Sequence, residues 1–140
     1  MSKFSCLVLC VVVASLSSVH VTKAQSLRDA LRPIIVVCTG EHGVTDADIQ
    51  AAKDAGNAAS IKPCFYRCVF KKAGFISEKG DYDEYTGLKN LREFVKDDEQ
   101  YNNLADVAKK CTSVNEKAVS DGTAGCERAA LMAACFLKHR

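Results

Sequence analysis

The chain has 140 residues, with 19 Lys and Arg against 17 Asp and Glu for a formal charge of +2. That length admits one domain. So small a positive excess argues against nucleic acid or an anionic membrane as a partner, since both select strongly cationic surfaces.

Residues 1–24 read as a secretory signal peptide: Lys3, then nine unbroken apolar positions from Cys6 to Ala14, then a polar stretch ending Thr22-Lys23-Ala24. The apolar run is far short of the roughly 20 residues a bilayer span needs, and no later segment comes close, so stable membrane insertion is not expected. Cleavage after Ala24 would leave residues 25–140 as one domain of 116 residues. It would remove Lys3 and Lys23 but no acid, leaving 17 cations against 17 anions.

Beyond that point the apolar spacing is helical throughout, and turn residues fall at short intervals. Ser26 suits the cap of a first helix carrying Leu27, Ala30, Leu31, Ile34, Ile35 and Cys38, with Pro33 placed to kink or restart it and Gly40 and Gly43 to end it. Thr45-x-x-Asp48 resembles a capping box and opens a short helix through Ile49, Ala52 and Ala55 to Gly56. Pro63 opens a third, with Cys64, Phe65, Cys68 and Val69, and Gly74 closes it ahead of a turn around Glu78-Lys79-Gly80-Asp81. Tyr85, Leu88, Leu91, Phe94 and Val95 recur at steps of three and four, which predicts a fourth helix. A fifth is expected from about Glu99 to Cys111, through Tyr101, Leu104, Val107 and Ala108. The sixth spans roughly Thr123 to Lys138, rich in alanine between Leu131, Met132, Phe136 and Leu137. Six short helices and no strand predict an all-α domain.

Two of the eight cysteines, Cys6 and Cys10, fall within the signal segment. The other six are Cys38, Cys64, Cys68, Cys111, Cys126 and Cys135, separated by 25, 3, 42, 14 and 8 residues. An even number in an exported chain predicts three disulfides, but many full pairings stay open. Cys64 and Cys68 share one helix face, where their directions suit partners on other elements better than each other. Cys126 and Cys135 lie about half a turn apart around their helix, so each reaches a different neighbour. Structural zinc prefers tighter Cys-x-x-Cys pairs with His, and residues 25–140 hold only His42 and His139, so no metal is expected. A chain of this length does not need staples to fold. Three of them suggest a partly hollow interior whose lost contacts they offset, or simple durability outside the cell.

The order Cys38, Cys64-x-x-x-Cys68, Cys111, Cys126, eight residues, Cys135, behind a signal peptide and within a helical pattern, resembles the six-cysteine insect odorant-binding proteins, the pheromone and general odorant-binding family. The likeness covers essentially the whole of residues 25–140. It implies about six helices around an apolar cavity, with the bridges interlocked as Cys38–Cys68, Cys64–Cys126 and Cys111–Cys135. It also implies a secreted carrier for a small apolar ligand, such as an odorant, a pheromone or a fatty-acid-like molecule, in chemosensory fluid. Relatives serve in haemolymph, reproductive fluid, saliva or venom as well. A chemosensory receptor is a further partner the resemblance allows, and a monomer or weak homodimer is the expected state.

Periodicity places Phe65, Val69, Leu88, Leu91, Phe94, Leu104, Met132 and Phe136 on inner faces, which makes them the candidates for a ligand pocket and equally for a packed core. Tyr66, Tyr82, Tyr85 and Tyr101 each offer a hydroxyl that can meet a ligand or solvent. Some moth members fold a long tail into the pocket as pH falls. Here only Phe136, Leu137, Lys138, His139 and Arg140 follow Cys135, too few for that device, although Phe136 and Leu137 can still wall the pocket. With two histidines besides, ligand binding is expected to vary weakly between about pH 5 and 7, and a tenfold loss of affinity over that interval refutes this.

An enzyme is not expected. Gly-x-Ser-x-Gly, Gly-x-Gly-x-x-Gly, His-Glu-x-x-His and the His-Asp-x-Cys-Cys of secreted phospholipases are all missing, and bridged cysteines supply no thiolate. The acids at Asp81, Asp83 and Glu84, and at Asp97, Asp98 and Glu99, sit near helix starts, where they favour the positive end of the dipole. No cofactor is expected. The competing classes are a disulfide-rich interaction or defence protein with a filled core and a lipid-disturbing helical protein, the second opposed by the near-zero charge of residues 25–140.

Overall fold

The computed structural model describes residues 23–140, giving the backbone alone for residues 23–28 and 30. The signal-peptide reading therefore lies almost wholly outside the described residues, as do the side chains of Ser26, Leu27 and Ala30. Six α-helices follow in order: α1 Lys23–His42, α2 Asp46–Ala55, α3 Pro63–Ala73, α4 Glu84–Phe94, α5 Asp98–Lys110 and α6 Cys126–His139. Among the described residues there is no strand, only an isolated antiparallel bridge between Ile76 and Tyr82.

Most helix ends follow local chemistry visible in the sequence. Thr45 and Asp48 form the reciprocal capping box at the start of α2, and Gly56 ends that helix in the left-handed region at φ 62°. Pro63 occupies the first turn of α3, where its missing N–H costs no bond, and Gly74 closes it in the same left-handed way. Asp83 and Asp97 cap α4 and α5 through the backbone N–H groups of Thr86 and Gln100.

Other expectations are corrected. Helix α1 is already under way at Ser26 and runs unbroken through Pro33 and Gly40. Pro33 lies on the exposed side, where water can serve the carbonyl left without its N–H partner. Short 3₁₀ turns at Ala58–Ser60, Thr112–Glu116 and Gly122–Ala124 carry the chain between helices, and apolar periodicity has no means of signalling so short a turn. The expected start of the sixth helix near Thr123 belongs to the last of these turns.

Three disulfides brace the helices: Cys38–Cys68 joins α1 to α3, Cys64–Cys126 ties the starts of α3 and α6, and Cys111–Cys135 joins the end of α5 to α6. They close loops of 30, 62 and 24 residues. Chain entropy assigns about 3 to 4 kcal/mol to each. The α3–α6 pair is the central packing unit, and the buried side chains fall into two clusters on either side of α3.

The turn between α3 and α4 is fixed by more than its own residues. Asn115 accepts from the Tyr82 N–H and donates to the Tyr82 carbonyl, both at 2.9 Å, copying a strand partner. Gly80, at φ 80°, packs against the chain at Thr123 and Gly125, and a Cβ there would lie 2.8 Å from the Thr123 carbonyl oxygen. Arg128 is 7% exposed and donates to the carbonyls of Val114 and Lys117, which pins the 3₁₀ segment after α5 onto α6.

Candidate ligand cavity

All six helices contribute to a cavity of about 400 Å³ with an almost wholly apolar wall. Helix α3 presents Tyr66, Val69, Phe70 and Ala73, and Phe75 follows just beyond its glycine cap. Leu91 and Phe94 come from α4, Leu104, Val107 and Ala108 from α5, and Ala133, Phe136 and Leu137 from α6. Leu31 of α1, Lys53 of α2 and the final residue, Arg140, complete it. Phe94 is 41% exposed, and Lys53 and Arg140 are exposed, so the cavity reaches the surface at these lining residues.

Aromatic rings build the inner wall. Phe136 meets Phe70 edge-on at 5.5 Å between centroids, and Phe75 and Tyr82 at 6.2 and 6.1 Å. Such edge contacts hold the rings in fixed orientation rather than letting them collapse into the space they enclose. Phe75 owes its position to Gly87 of α4: a Cβ there would lie 2.0 Å from the Phe75 ring, so only glycine lets that ring lie against the helix.

Of the eight pocket candidates, Val69, Leu91, Phe94, Leu104 and Phe136 line the cavity. Phe65, Leu88 and Met132 do not. Phe65 packs with Cys38, Val44, Ala52, Ile61 and Cys68 on the other side of α3, Met132 is fully buried among core side chains, and Leu88 packs against that same core. Helical spacing selected all eight as inward, but inward directions end at atoms as well as at space. The wall also contains residues outside the candidate set, notably Phe70 and Phe75. Phe75 sits in a turn, beyond the reach of helical periodicity; the Gly74 that ends α3 was its one local signal.

Three of the four tyrosine hydroxyls have backbone partners. Tyr66 donates to the Ala58 carbonyl at 2.8 Å, Tyr82 to that of Ala108 at 2.7 Å, and Tyr101 to that of Leu88 at 3.5 Å. Burial pushes the Tyr66 and Tyr82 hydroxyls above the usual phenol range, so both stay protonated donors. Tyr85, expected on the inner stripe of α4, is 80% exposed, because it sits in the first turn of that helix, outside the packed face.

Glu41, His42 and Cys68 place their ligand atoms within 4.8 Å of one another. Cys68 is bridged to Cys38, so its sulfur carries no thiolate charge and the trio does not make a three-donor metal site.

Helices braced by three interlocked disulfides around an apolar cavity define a small-molecule binding scaffold. Residues 21–139 match the PBP/GOBP family, and the chain belongs to it. It is thus a six-cysteine odorant-binding protein in its framework, and the family is one of carriers. The fold is similar to that of the odorant-binding protein dmelOBP28a from Drosophila melanogaster, with a TM-score of 0.56 at 24% sequence identity over 84% of this chain and 94% of that one. No curated protein matches the sequence. No described helix is long and apolar enough to cross a membrane.

Proposed function

We propose that the protein is a secreted carrier that takes up small hydrophobic molecules from chemosensory fluid and holds them between its helices. The apolar cavity is the observation that carries this reading. A ligand entering it leaves water at a gain of about 25 cal/mol per Å² of apolar surface buried, and about 400 Å³ lies within the usual range for small-molecule sites. The wall accommodates many shapes of similar size, because ring faces and aliphatic side chains impose little directional demand.

Displacement of an environment-sensitive apolar dye from the disulfide-verified protein tests the reading. The chain has no Trp, so an extrinsic probe is required. Saturable binding in the micromolar range, lost on reduction and reversed by volatile and fatty ligands, is the expected result. A correctly bridged helical protein that takes up no dye would point instead to an interaction protein whose cavity stays closed to ligands.

A further inference from the structure

We propose a second binding site, separate from the apolar cavity, for a small oxyanion that carries its own hydroxyl, of which hydrogenphosphate is the simplest. The site shares no lining residue with the cavity and does not depend on the carrier reading.

It is a cleft of about 330 Å³ between the end of α1 and one face of α3, lined by Glu41, His42, Arg67, Cys68, Lys71 and Lys72. Its walls are held in place. The Cys38–Cys68 bridge ties the two helices, and Lys62 at the start of α3 donates to the His42 carbonyl at the end of α1, at 3.4 Å.

The polar groups of the cleft do not satisfy one another. Arg67 is half-buried, and its Nε is buried without a hydrogen-bond partner. The ion pairs among the described residues, Lys71–Glu78 and Arg92–Asp98, leave out both Arg67 and Lys72. A buried donor without a partner costs the fold free energy, and an acceptor brought by a ligand would recover it. Glu41 lies 3.3 Å from the Cys68 sulfur, but a bridged sulfur has no proton to give, so the carboxylate keeps its acceptor capacity. The His42 ring offers a nitrogen within 4.8 Å of that carboxylate, and no cation of the cleft is ion-paired with it. Opposite charges that line one cleft without pairing leave space between them for a ligand that answers both.

Two properties of that ligand follow. The first is net negative charge: even with Glu78 counted against Lys71, the three cations Arg67, Lys71 and Lys72 outnumber the two acids. A zwitterion would meet both signs but would leave that surplus unanswered. The second is a proton, set by Glu41. Sulfate, fully ionised, would meet the carboxylate with repulsion, whereas hydrogenphosphate donates its P–OH to Glu41 while its other oxygens accept from Arg67 and Lys72. The carboxylate thus selects by rejecting the unprotonated anion. Helix electrostatics accounts for only part of the cluster: Lys71 and Lys72 lie in the last turn of α3, where cations offset the dipole, but Arg67 stands in mid-helix, beyond that effect.

The experiment titrates orthophosphate, sulfate and glycine into the disulfide-verified chain near neutral pH at one ionic strength, following backbone amide shifts by NMR. Phosphate should give saturable shifts at residues 41–42 and 67–72. Its affinity should exceed that of sulfate by about threefold to tenfold, as one charge-assisted hydrogen bond in a half-exposed site allows, with glycine weakest. Arg67→Met should weaken phosphate and sulfate together by about tenfold. Glu41→Gln, whose amide can donate as well as accept, should bring sulfate level with phosphate. Uptake of the apolar dye shows that each variant is folded, and Lys72→Met, at an exposed position, repeats the test of the cations should Arg67→Met not fold. Displacement of phosphate by glycerol phosphate would assign the site to soluble phosphates, and displacement by phosphatidate vesicles alone would assign it to a lipid headgroup; both keep the inference. Shifts scattered over surface lysines, equal affinity for sulfate and phosphate in the native chain, tighter binding of glycine, or phosphate affinity unchanged in the folded cation variants each overturns it. Phosphate binding in a chain that takes up no dye would overturn the carrier reading alone.

Discussion

Two apolar regions flank α3 and differ in how completely they are filled. On one side Phe65 and Cys68 join Cys38, Val44, Ala52 and Ile61 in a cluster held by the Cys38–Cys68 bridge. On the other, Val69, Phe70 and Ala73 face the cavity together with Phe75 and Phe136. At 100° per residue, Phe65 and Cys68 occupy an arc of about 60°, and Val69, Ala73, Tyr66 and Phe70 the next arc, from about 40° to about 140° beyond Phe65. One helix thus supplies filled core and cavity wall from adjacent strips of its surface. Aromatic rings enclose the empty side, and edge-on ring contacts keep it open.

The sharpest way to break this contrast is to truncate one residue on each side. Phe65→Ala should cost about 3 to 5 kcal/mol, since it empties a site packed on all sides. Leu104→Ala should cost only about 1 to 2 kcal/mol, because part of that side chain already faces space and has fewer contacts to lose. Denaturant titration of both variants measures the difference. Equal losses would mean that the wall is packed as tightly as the solid cluster. Dye affinity should move the other way, shifting with Leu104, which lines the cavity, and holding in whatever fraction of the Phe65 variant remains folded.

That contrast also explains what the sequence conveys and what it hides. The caps at Thr45, Pro63 and Gly74, the six helices and the inward faces follow from local rules about hydrogen bonds and periodicity. The cysteine framework carries the family. Periodicity marks both strips of α3 as inward, however, and has no term for what lies opposite, so Phe65 and Val69 look alike until α1, α2 and α6 are in place. Met132 fails the same way: it lies on the inner face of α6 but ends in solid core. Phe75 escapes for a different reason. Its place depends on Gly87, twelve residues on in another helix, and no local pattern links the two.

Gly87→Ala sharpens the comparison at that contact. The new Cβ would overlap the Phe75 ring, whose easiest retreat is into the cavity it lines. Stability should fall by about 1 to 3 kcal/mol, the usual cost of overpacking. The more telling effect is on binding: the displaced ring occupies ligand space, so dye affinity should drop further than in Leu104→Ala. Overpacking inside the solid cluster has no such outlet, and would cost stability without filling a site. An unchanged affinity in Gly87→Ala would show that α4 shifts instead of the ring.

The smallest effect lies at the start of α2, the helix that gives Ala52 to the solid cluster and Lys53 to the cavity mouth. Asp48 accepts from the Thr45 backbone N–H and hydroxyl, each at 2.8 Å, and these bonds hold its carboxyl below the usual carboxylate value of 3.8. A depressed folded value means that the cap stabilises above the unfolded pKa and that this stabilisation is lost as pH falls through the folded one. Asp48→Asn should therefore be slightly less stable than the native chain near neutrality, with a gap that closes on acidification below about pH 4. A gap independent of pH would assign the cap to hydrogen-bond geometry alone. Ligand affinity measured alongside separates the two duties of α2: loss of stability without loss of affinity places the cap with the solid side, whereas a matching loss of affinity means that the mouth depends on how firmly α2 is anchored.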